Sequence, residues 1–239
     1  MAAVKSQRPT RTERAQQTRS RMLESARALF ISDGYAATTM ERIADTAGVA
    51  VQTLYYTFRT KGQLLCEVVE TTAAGDGEAV PVAQRAWVQD MLASRSGPRV
   101  LALAVEHGAD IFVRAAPLWP VVAAAAADPK VEHYWGRVAG DRRAGQARMV
   151  GRLDELGVLR PGLEPDRATD VVVVLFGHDV FRSLVTQAGW SVPEYKAWLF
   201  TTLAQQLLQQ HRIPPTSHSD LTYSHLVTSR AAPAPSAPG

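Results

Sequence analysis

Four hydrogen-bonding side chains fall within five consecutive residues, at Gln52, Thr53, Tyr55 and Tyr56. If this stretch is a helix, Leu54 and Phe58 lie one turn apart and form its buried face, which leaves the four polar side chains on or beside the outer face. A glutamine can pair with adenine, a threonine methyl can contact the thymine methyl, and tyrosine hydroxyls can reach phosphates. This chemistry suits a surface that enters the major groove of DNA.

A preceding helix and a glycine turn must position that face. Thr38 and Glu41 fit a Thr-x-x-Glu capping box that starts the preceding helix, and Thr39 is the alternative N-cap one residue later. Gly48 is predicted to end this helix, because the left-handed C′ conformation costs glycine little. Val49 then fills the corner, and the two helices have the layout of a helix-turn-helix.

Lys61 is predicted to lie in the first turn of the next helix, which Thr60 and Gln63 start as a second capping box. The helix macrodipole disfavours a cation there, whereas a docked phosphate would be attracted by both the lysine and the free amides. The two interpretations are an ordinary surface lysine and a phosphate contact. The twenty residues that precede Lys61 favour the phosphate contact.

Residues 14 to 74 resemble the DNA-binding domain of TetR-type transcriptional regulators. The matching residues are Phe30, Gly34-Tyr35, Thr38-Thr39, Ile43-Ala44, Ala47-Gly48-Val49, Thr53-Leu54-Tyr55-Tyr56, Phe58, Lys61 and Leu64. The resemblance implies that the DNA-contacting positions are Thr39, Arg42, Val51, Gln52, Thr53, Tyr55, Tyr56 and Lys61. It implies that the core positions are Ile43, Val49, Leu54 and Phe58.

Three positions depart from the common pattern of that family. Ala50 stands where a Ser or Thr usually caps the second helix, Thr57 where His is frequent, and Gly62 where an acidic residue is common. The missing cap at Ala50 removes about 1 kcal/mol of helix stability. It affects the expected DNA affinity and leaves the expected fold unchanged.

The charge distribution separates a basic N-terminal part from the rest of the chain. Residues 1–62 hold ten Lys or Arg and five Asp or Glu, whereas the other residues hold sixteen and eighteen. Residues 1–13 are predicted to form a flexible basic arm, and Arg8, Arg11 and Arg14 could follow phosphates or enter the minor groove. The alternative is a solvated basic tail that is disordered in the absence of DNA.

Composition excludes several classes of protein. A single cysteine rules out an intrachain disulfide framework, and Cys66 is predicted to be a small buried residue. We find no apolar signal segment, no apolar run of the ~20 residues that span a bilayer, and no spacing typical of a metal site. We therefore expect a cytoplasmic protein without a cofactor or metal.

The rest of the chain is predicted to be helical, so the expected fold is all-α. The predicted divisions are the arm (1–13), a helix-turn-helix domain (14–74), a larger helical effector-binding and dimerisation domain (75–212) and a disordered tail (213–239). Val171–Phe176 is rich in β-formers, but no strand partner is visible and its helical register continues through Gly177 to Gly189. A capping box at Ser191 and Glu194 starts the last helix.

The last two helices are more apolar than one layer of packing requires. We expect a homodimer through a four-helix bundle formed by residues 166–188 and 192–210 of each subunit, because two-fold pairing extends the DNA site that a single helix-turn-helix reads. The interface residues are predicted to be Val173, Gly177, Val180, Leu184, Trp198, Leu199, Leu203 and Leu207.

The resemblance also implies a small effector held inside the helical body. Residues that could line its pocket are Phe112, Trp119, His133, Tyr134, Trp135, His178, Phe181 and Arg182, although aromatic residues on helices are more often core. His178 and Asp179 are adjacent, and adjacent helical side chains diverge, so we predict no catalytic pair. There is no glycine-rich phosphate loop and no nucleophile elbow.

Three functions follow from these observations. The leading one is a dimeric repressor that an effector releases from a palindromic operator. The second is a helix-turn-helix regulator without a small ligand, controlled by its level or by a partner protein. The third is a helical enzyme whose N-terminal part is only structural, and nothing in the sequence supplies its chemistry.

Overall fold

The computed structural model describes residues 10–75 and 81–209, together with Tyr223 and Val227. Across these residues the chain is helical, and its single extended pairing is an antiparallel bridge between Leu159 and Leu208. The α-helices are α1 (Arg11–Ala37), α2 (Met40–Ala47), α3 (Val51–Phe58), α4 (Lys61–Ala74), α5 (Ala86–Ala93), α6 (Gly97–Ala115), α7 (Trp119–Ala124), α8 (Pro129–Glu155), α9 (Pro165–Leu175), α10 (His178–Phe181) and α11 (Val192–Leu207). Short 3₁₀-helices at Val82–Gln84 and Ala116–Leu118 and a π-helix at Arg182–Gln187 complete them. The all-α prediction is confirmed.

The helices divide into two compact units. Among the described residues, the first unit holds 10–75 and 115–137, and the second holds the others. The predicted boundary between residues 74 and 75 placed the segment 115–137 in the second domain, whereas its contacts place it in the first unit. The physical reason is that α7 packs against α1, with Val121 and Val122 buried.

The start of α1 differs from the predicted flexible arm. Thr10 and Glu13 form a complete capping box, in which the Glu13 amide donates to Thr10 Oγ1 at 3.2 Å. Residues 11–13 are therefore helical, and the side chains of Arg11 and Arg14 are exposed on α1. Residues 1–9, including Arg8, lie outside the described residues.

The core of the second unit includes residues that we had assigned to a dimer interface. Ser191 and Glu194 form the predicted capping box. Leu199, Leu203 and Leu207 then lie completely buried within the single chain, on a helix that packs against α9. Their assignment to the interface is wrong, because a side chain without exposed surface cannot contact a second subunit.

The helix predicted to run through Gly177 is interrupted. It ends at Leu175, and Gly177 is extended, with φ −102° and ψ 154°. The Phe176 carbonyl instead accepts hydrogen bonds from Arg142 Nη1 at 3.3 Å and Gln146 Nε2 at 3.2 Å. The prediction of one helix over 166–188 is wrong because these side chains replace the next helical hydrogen bond. Gly177 is buried within the chain.

The remaining predictions concern single residues and the tail. Cys66 is buried, as predicted, and burial raises the pKa of its thiol to about 11. Tyr223 is buried, and its hydroxyl donates to Glu106 Oε2 at 2.6 Å, so the predicted disorder does not hold at this residue. The rest of the predicted tail (213–239) lies outside the described residues, apart from Val227.

The described residues hold neither a membrane-spanning helix nor a cluster of metal ligands. None of their helices combines the length and the apolar character that crossing a membrane requires. In the same part of the chain, no group of three His, Cys, Asp or Glu side chains is placed to hold a metal ion.

Candidate nucleic-acid interface

Helix α2 is started by Thr39 rather than Thr38. Thr39 Oγ1 accepts a hydrogen bond from the Arg42 amide at 3.2 Å. Thr38 is fully buried, and its hydroxyl donates to the carbonyl of Gly34 at 2.8 Å. The predicted Thr38–Glu41 capping box is therefore wrong, because Thr38 closes the end of α1, which Gly34 interrupts with φ 80°.

The turn between α2 and α3 has the predicted form. Gly48 is left-handed, with φ 64°, and its amide and that of Val49 donate back to the last turn of α2. Ile43, Leu54 and Phe58 are fully buried, and Val49 is half-buried at the corner. These contacts hold α3 rigidly against α2, so the direction of its outer face is determined by the core.

That outer face is polar and open. Tyr56 is 88% exposed and Tyr55 45% exposed, although both are large side chains. Gln52 and Thr53 are exposed as well, while Val51 is half-buried. The side chains predicted to contact bases and phosphates on α3 are thus accessible together on one short helix.

The first turn of α3 lacks a side-chain cap. Ala50 has an extended backbone suited to an N-cap, but it offers no side-chain acceptor to the amides that follow. The structure confirms that the cap is missing, and its effect on helix stability and DNA affinity stays a prediction.

Two of the predicted DNA-contacting cations already have partners within the protein. Arg42 Nη1 pairs with Asp33 Oδ2 at 2.5 Å, although the Arg42 side chain stays 55% exposed. Lys61 Nζ donates to the carbonyls of Tyr35 at 2.8 Å and Thr38 at 3.0 Å. A phosphate contact by either residue remains a prediction, and at Lys61 a phosphate would compete with these carbonyls.

A groove beside α3 was not foreseen from the sequence. Its walls come from the first turns of α1 and from the exposed side of α3, and its lining includes Arg14, Gln16, Thr18, Thr53 and Thr57. The capping box at Thr10 and Glu13 is the sequence signal that could have revealed it, because it extends α1 far enough to run along α3. Arg14 is thereby placed on a rigid helix close to the recognition residues.

The predicted effector-pocket residues divide between the two units. In the second unit, the Phe112 ring packs edge-on against Phe176 and Phe181, with centroids 5.7 and 5.8 Å apart. Phe181 also contacts Tyr195, at 5.0 Å. Arg182 is exposed. Burial lowers the pKa of His178, and its Nε2 lies 3.4 Å from Asp179 Oδ1, so our prediction that these two side chains diverge is wrong.

The other four predicted pocket residues belong to the first unit. Tyr134 is buried beside the guanidinium of Arg137, and Trp119 and Trp135 are half-buried. His133 is exposed. A role in effector binding remains a prediction for both groups.

Comparison with known proteins supports the assignment of the N-terminal part. Residues 22–68 match the family described as bacterial regulatory proteins, tetR family. No curated protein sequence matches the chain.

Several solved structures share the fold. The complex of SmeT with triclosan matches with a TM-score of 0.63 and 17% identity, over 84% of this chain and 96% of that one; SmeT is the repressor of the Stenotrophomonas maltophilia multidrug efflux pump SmeDEF. NalD, the secondary repressor of the MexAB-OprM multidrug efflux pump in Pseudomonas aeruginosa, matches with a TM-score of 0.63 and 16% identity, over 82% and 99%. FadR from Bacillus subtilis, in complex with stearoyl-CoA, matches with a TM-score of 0.61 and 14% identity, over 79% and 98%.

Proposed function

We propose that this chain, a TetR-type DNA-binding transcriptional regulator by its residues 22–68, is a homodimeric repressor that a small-molecule effector releases from a palindromic operator. The observation that carries the proposal is the contrast on α3, where Leu54 and Phe58 are completely buried and Tyr56 is 88% exposed. A large aromatic residue on the surface loses apolar contact with the core, so a partner that uses it explains its position.

The partner that fits this face is duplex DNA. A helix-turn-helix places the second helix in the major groove, where glutamine and threonine meet base edges and hydroxyl groups meet phosphates. The basic composition of residues 1–62 supplies the attraction to phosphates, which depends strongly on salt.

Dimer formation is supported by the apolar surface that remains in the second unit. Val174 is 67% exposed on α9, and Val173, Val180, Leu184 and Trp198 are half-buried. We propose that a second copy covers these residues, while Leu199, Leu203 and Leu207 hold each subunit together. Pairing through a two-fold axis would place two α3 helices on the two half-sites of a palindrome.

The ligands bound in structures of similar fold support the proposal of an effector. SmeT and FadR were solved with triclosan and with stearoyl-CoA, and both ligands carry large apolar parts. We propose that an apolar small molecule binds this chain among Phe112, His178 and Phe181. The proposal assigns no catalytic step to the protein and places it in the cytoplasm.

Selection of duplexes from a random library, followed by fluorescence anisotropy with the full chain, tests the proposal. We expect a two-fold symmetric motif and an affinity that falls steeply with salt. A small molecule that lowers this affinity would support the effector. Failure of the selection to enrich any motif, at low salt as well as high, would show that the exposed face of α3 does not read DNA.

A further inference from the structure

The carboxylate of Asp128 joins three elements of the first unit. Asp128 precedes α8, and its Oδ1 accepts a hydrogen bond from the Lys130 amide at 2.9 Å, as an N-cap does. Its Oδ2 accepts a hydrogen bond from the hydroxyl of Tyr35 at 2.8 Å, ninety-three residues earlier in the chain. Both oxygens are therefore held in place, one by each of two helices.

The third element is the start of α4, where Gly62 leaves room for the carboxylate. A Cβ atom built on Gly62 would lie 2.6 Å from both oxygens of Asp128, so a side chain at this position would require the carboxylate to shift. Gly62 is also the position where the family pattern commonly has an acidic residue. In this chain the space beside Gly62 is taken up by the carboxylate of Asp128, from the corner between α7 and α8.

Tyr35 connects this carboxylate to the residues that hold the helix-turn-helix. Its ring stacks on Phe30 of α1, with centroids 5.9 Å apart. The Lys61 ammonium lies over the same ring, 4.2 Å from its centroid. Lys61 in turn donates to the carbonyl of Thr38, one residue before the N-cap of α2. A continuous set of contacts thus runs from Asp128 to the start of α2.

The corner that bears Asp128 is also joined to the second unit by the chain itself. Helix α8 begins at Pro129 and continues without interruption to Glu155, and its residues from Val138 onward belong to the second unit. A second contact between α8 and α4, Arg137 with Glu70 at 2.5 Å, is half-exposed at both ends and contributes little. The contact at Asp128 is half-buried, and two hydrogen bonds hold its carboxylate, so we take it as the stronger connection between the start of α8 and the DNA-reading helices.

We propose that Asp128 is a positioning residue through which the start of α8 sets the placement of α2 and α3, with Tyr35 as the link and Gly62 as the space that admits the carboxylate. The inference deepens the proposed function, since it names the contact by which the state of the helical body would reach the DNA-reading surface. A displacement of α8 along its axis would pull the carboxylate from the Tyr35 hydroxyl and remove the hydrogen bond that anchors the ring beneath Lys61.

Two variants disturb this contact in different ways. Tyr35→Phe keeps the ring, its stacking on Phe30 and its contact with Lys61, but removes the hydroxyl. Gly62→Ala forces the carboxylate out of its place, since the oxygens lie 2.6 Å from the new methyl. The matched control is Gly136→Ala, because a Cβ on this exposed residue of α8 meets nothing within 4 Å.

The first measurement is hydrogen exchange of the free full-length protein. We expect both variants to speed exchange about tenfold, as loss of a hydrogen bond to a charged group does. The faster amides should lie in residues 61–65, in 129–132 and at the start of α2, and the control should not speed exchange in any of them, since alanine favours the helix. The proposal would be overturned if exchange in Tyr35→Phe became faster only in residues 129–132, or if the exchange of this variant equalled that of the wild type. Because Tyr35→Phe is the milder change, it decides the matter if Gly62→Ala fails to fold.

The second measurement adds a duplex enriched from a random library by the wild-type protein. Coupling between two sites is reciprocal, so DNA bound at α3 should alter exchange of residues 129–137 in the wild type. In Tyr35→Phe this response should disappear while the duplex still binds. An unchanged response in Tyr35→Phe would refute the role of Asp128. Absence of any duplex binding by the wild type would refute the proposed function instead, and the free-protein measurement would still decide the contact.

Discussion

The ammonium of Lys61 lies over the ring of Tyr35, 4.2 Å from its centroid, and donates a hydrogen bond to the Tyr35 carbonyl at 2.8 Å. A lysine in the first turn of a helix is unfavourable with respect to the helix macrodipole. Here the carbonyls of Tyr35 and Thr38 and the face of an aromatic ring compensate for this position. Lys61 therefore has a structural role in the protein whether or not it also meets a phosphate.

Replacing Lys61 by Gln separates these two roles. If Lys61 contacts a phosphate, DNA affinity should fall by a similar factor for every sequence, and the slope of log affinity against log salt should decrease by about 1. Anisotropy titrations at several salt concentrations measure both quantities. A salt slope equal to that of the wild type would show that the lysine serves only the fold.

Tyr56 and Gln52 are expected to have different roles on the outer face of α3, Tyr56 in general affinity and Gln52 in base preference. If the Tyr56 hydroxyl contacts a phosphate, Tyr56→Phe should weaken binding to all duplexes. Gln52→Ala should change which base is preferred by about 1–3 kcal/mol at one position and reduce general affinity less. Binding of both variants to a panel of single-base operator changes distinguishes the two effects. Matching profiles for the two variants would refute this division.

The missing cap at Ala50 can be restored. Ala50 already has the extended backbone of an N-cap, with φ −66° and ψ 141°, so Ala50→Ser needs no rearrangement of the main chain. We expect the free energy of unfolding to rise by about 1 kcal/mol, which corresponds to about 2–4 °C in Tm for a chain of this size. Thermal unfolding followed by circular dichroism measures it. A lower Tm would show that the first turn of α3 is strained or otherwise engaged.

Substitution of Val174, the exposed apolar residue on α9, tests the proposed dimer interface. Val174→Glu should give monomers at micromolar concentration without a change in Tm of the single chain, since Val174 is 67% exposed. Val113→Glu, at a 39% exposed valine of α6, is the matched control and should leave the assembly unchanged. Light scattering gives the molar mass of each. A dimer in Val174→Glu would place the interface elsewhere on the chain.

Two histidines in the second unit predict a dependence of stability on pH. Burial is the main cause that lowers the pKa of both His107 and His178 from 6.5, so the folded protein favours their neutral forms. The stability that they contribute is fully present above the unfolded pKa and is lost as pH falls through the folded value. The free energy of unfolding should therefore decrease from about pH 7 to about pH 5.

Urea titrations across that range check the direction. The double variant His107→Asn and His178→Asn should show a flatter profile than the wild type, because neither amide titrates. A profile that is equally steep in the variant would assign the effect to other groups.

Much of the helix-turn-helix could be predicted from the sequence, because its determinants are local. Gly48, Leu54 and Phe58 lie within eleven residues, and each acts on its own turn or on the next helix. The same local reasoning placed the Ser191–Glu194 cap correctly. For α2 it put Thr38 first and Thr39 second as the N-cap, and the structure reverses that order. Thr38 is buried against the carbonyls at the end of α1, and its position beside a second threonine does not reveal this contact.

The sequence by itself determined the fold class, the recognition helix and the polar character of its outer face, since these depend on spacing over a few turns. The tertiary structure alone decided which apolar residues of α11 are core, where the helix after α9 breaks and what occupies the space beside Gly62. Those features depend on contacts between residues far apart in the chain, such as Phe176 with Gly108 and Asp128 with Tyr35. Periodicity shows that a face is apolar, and only packing shows whether the chain itself covers it.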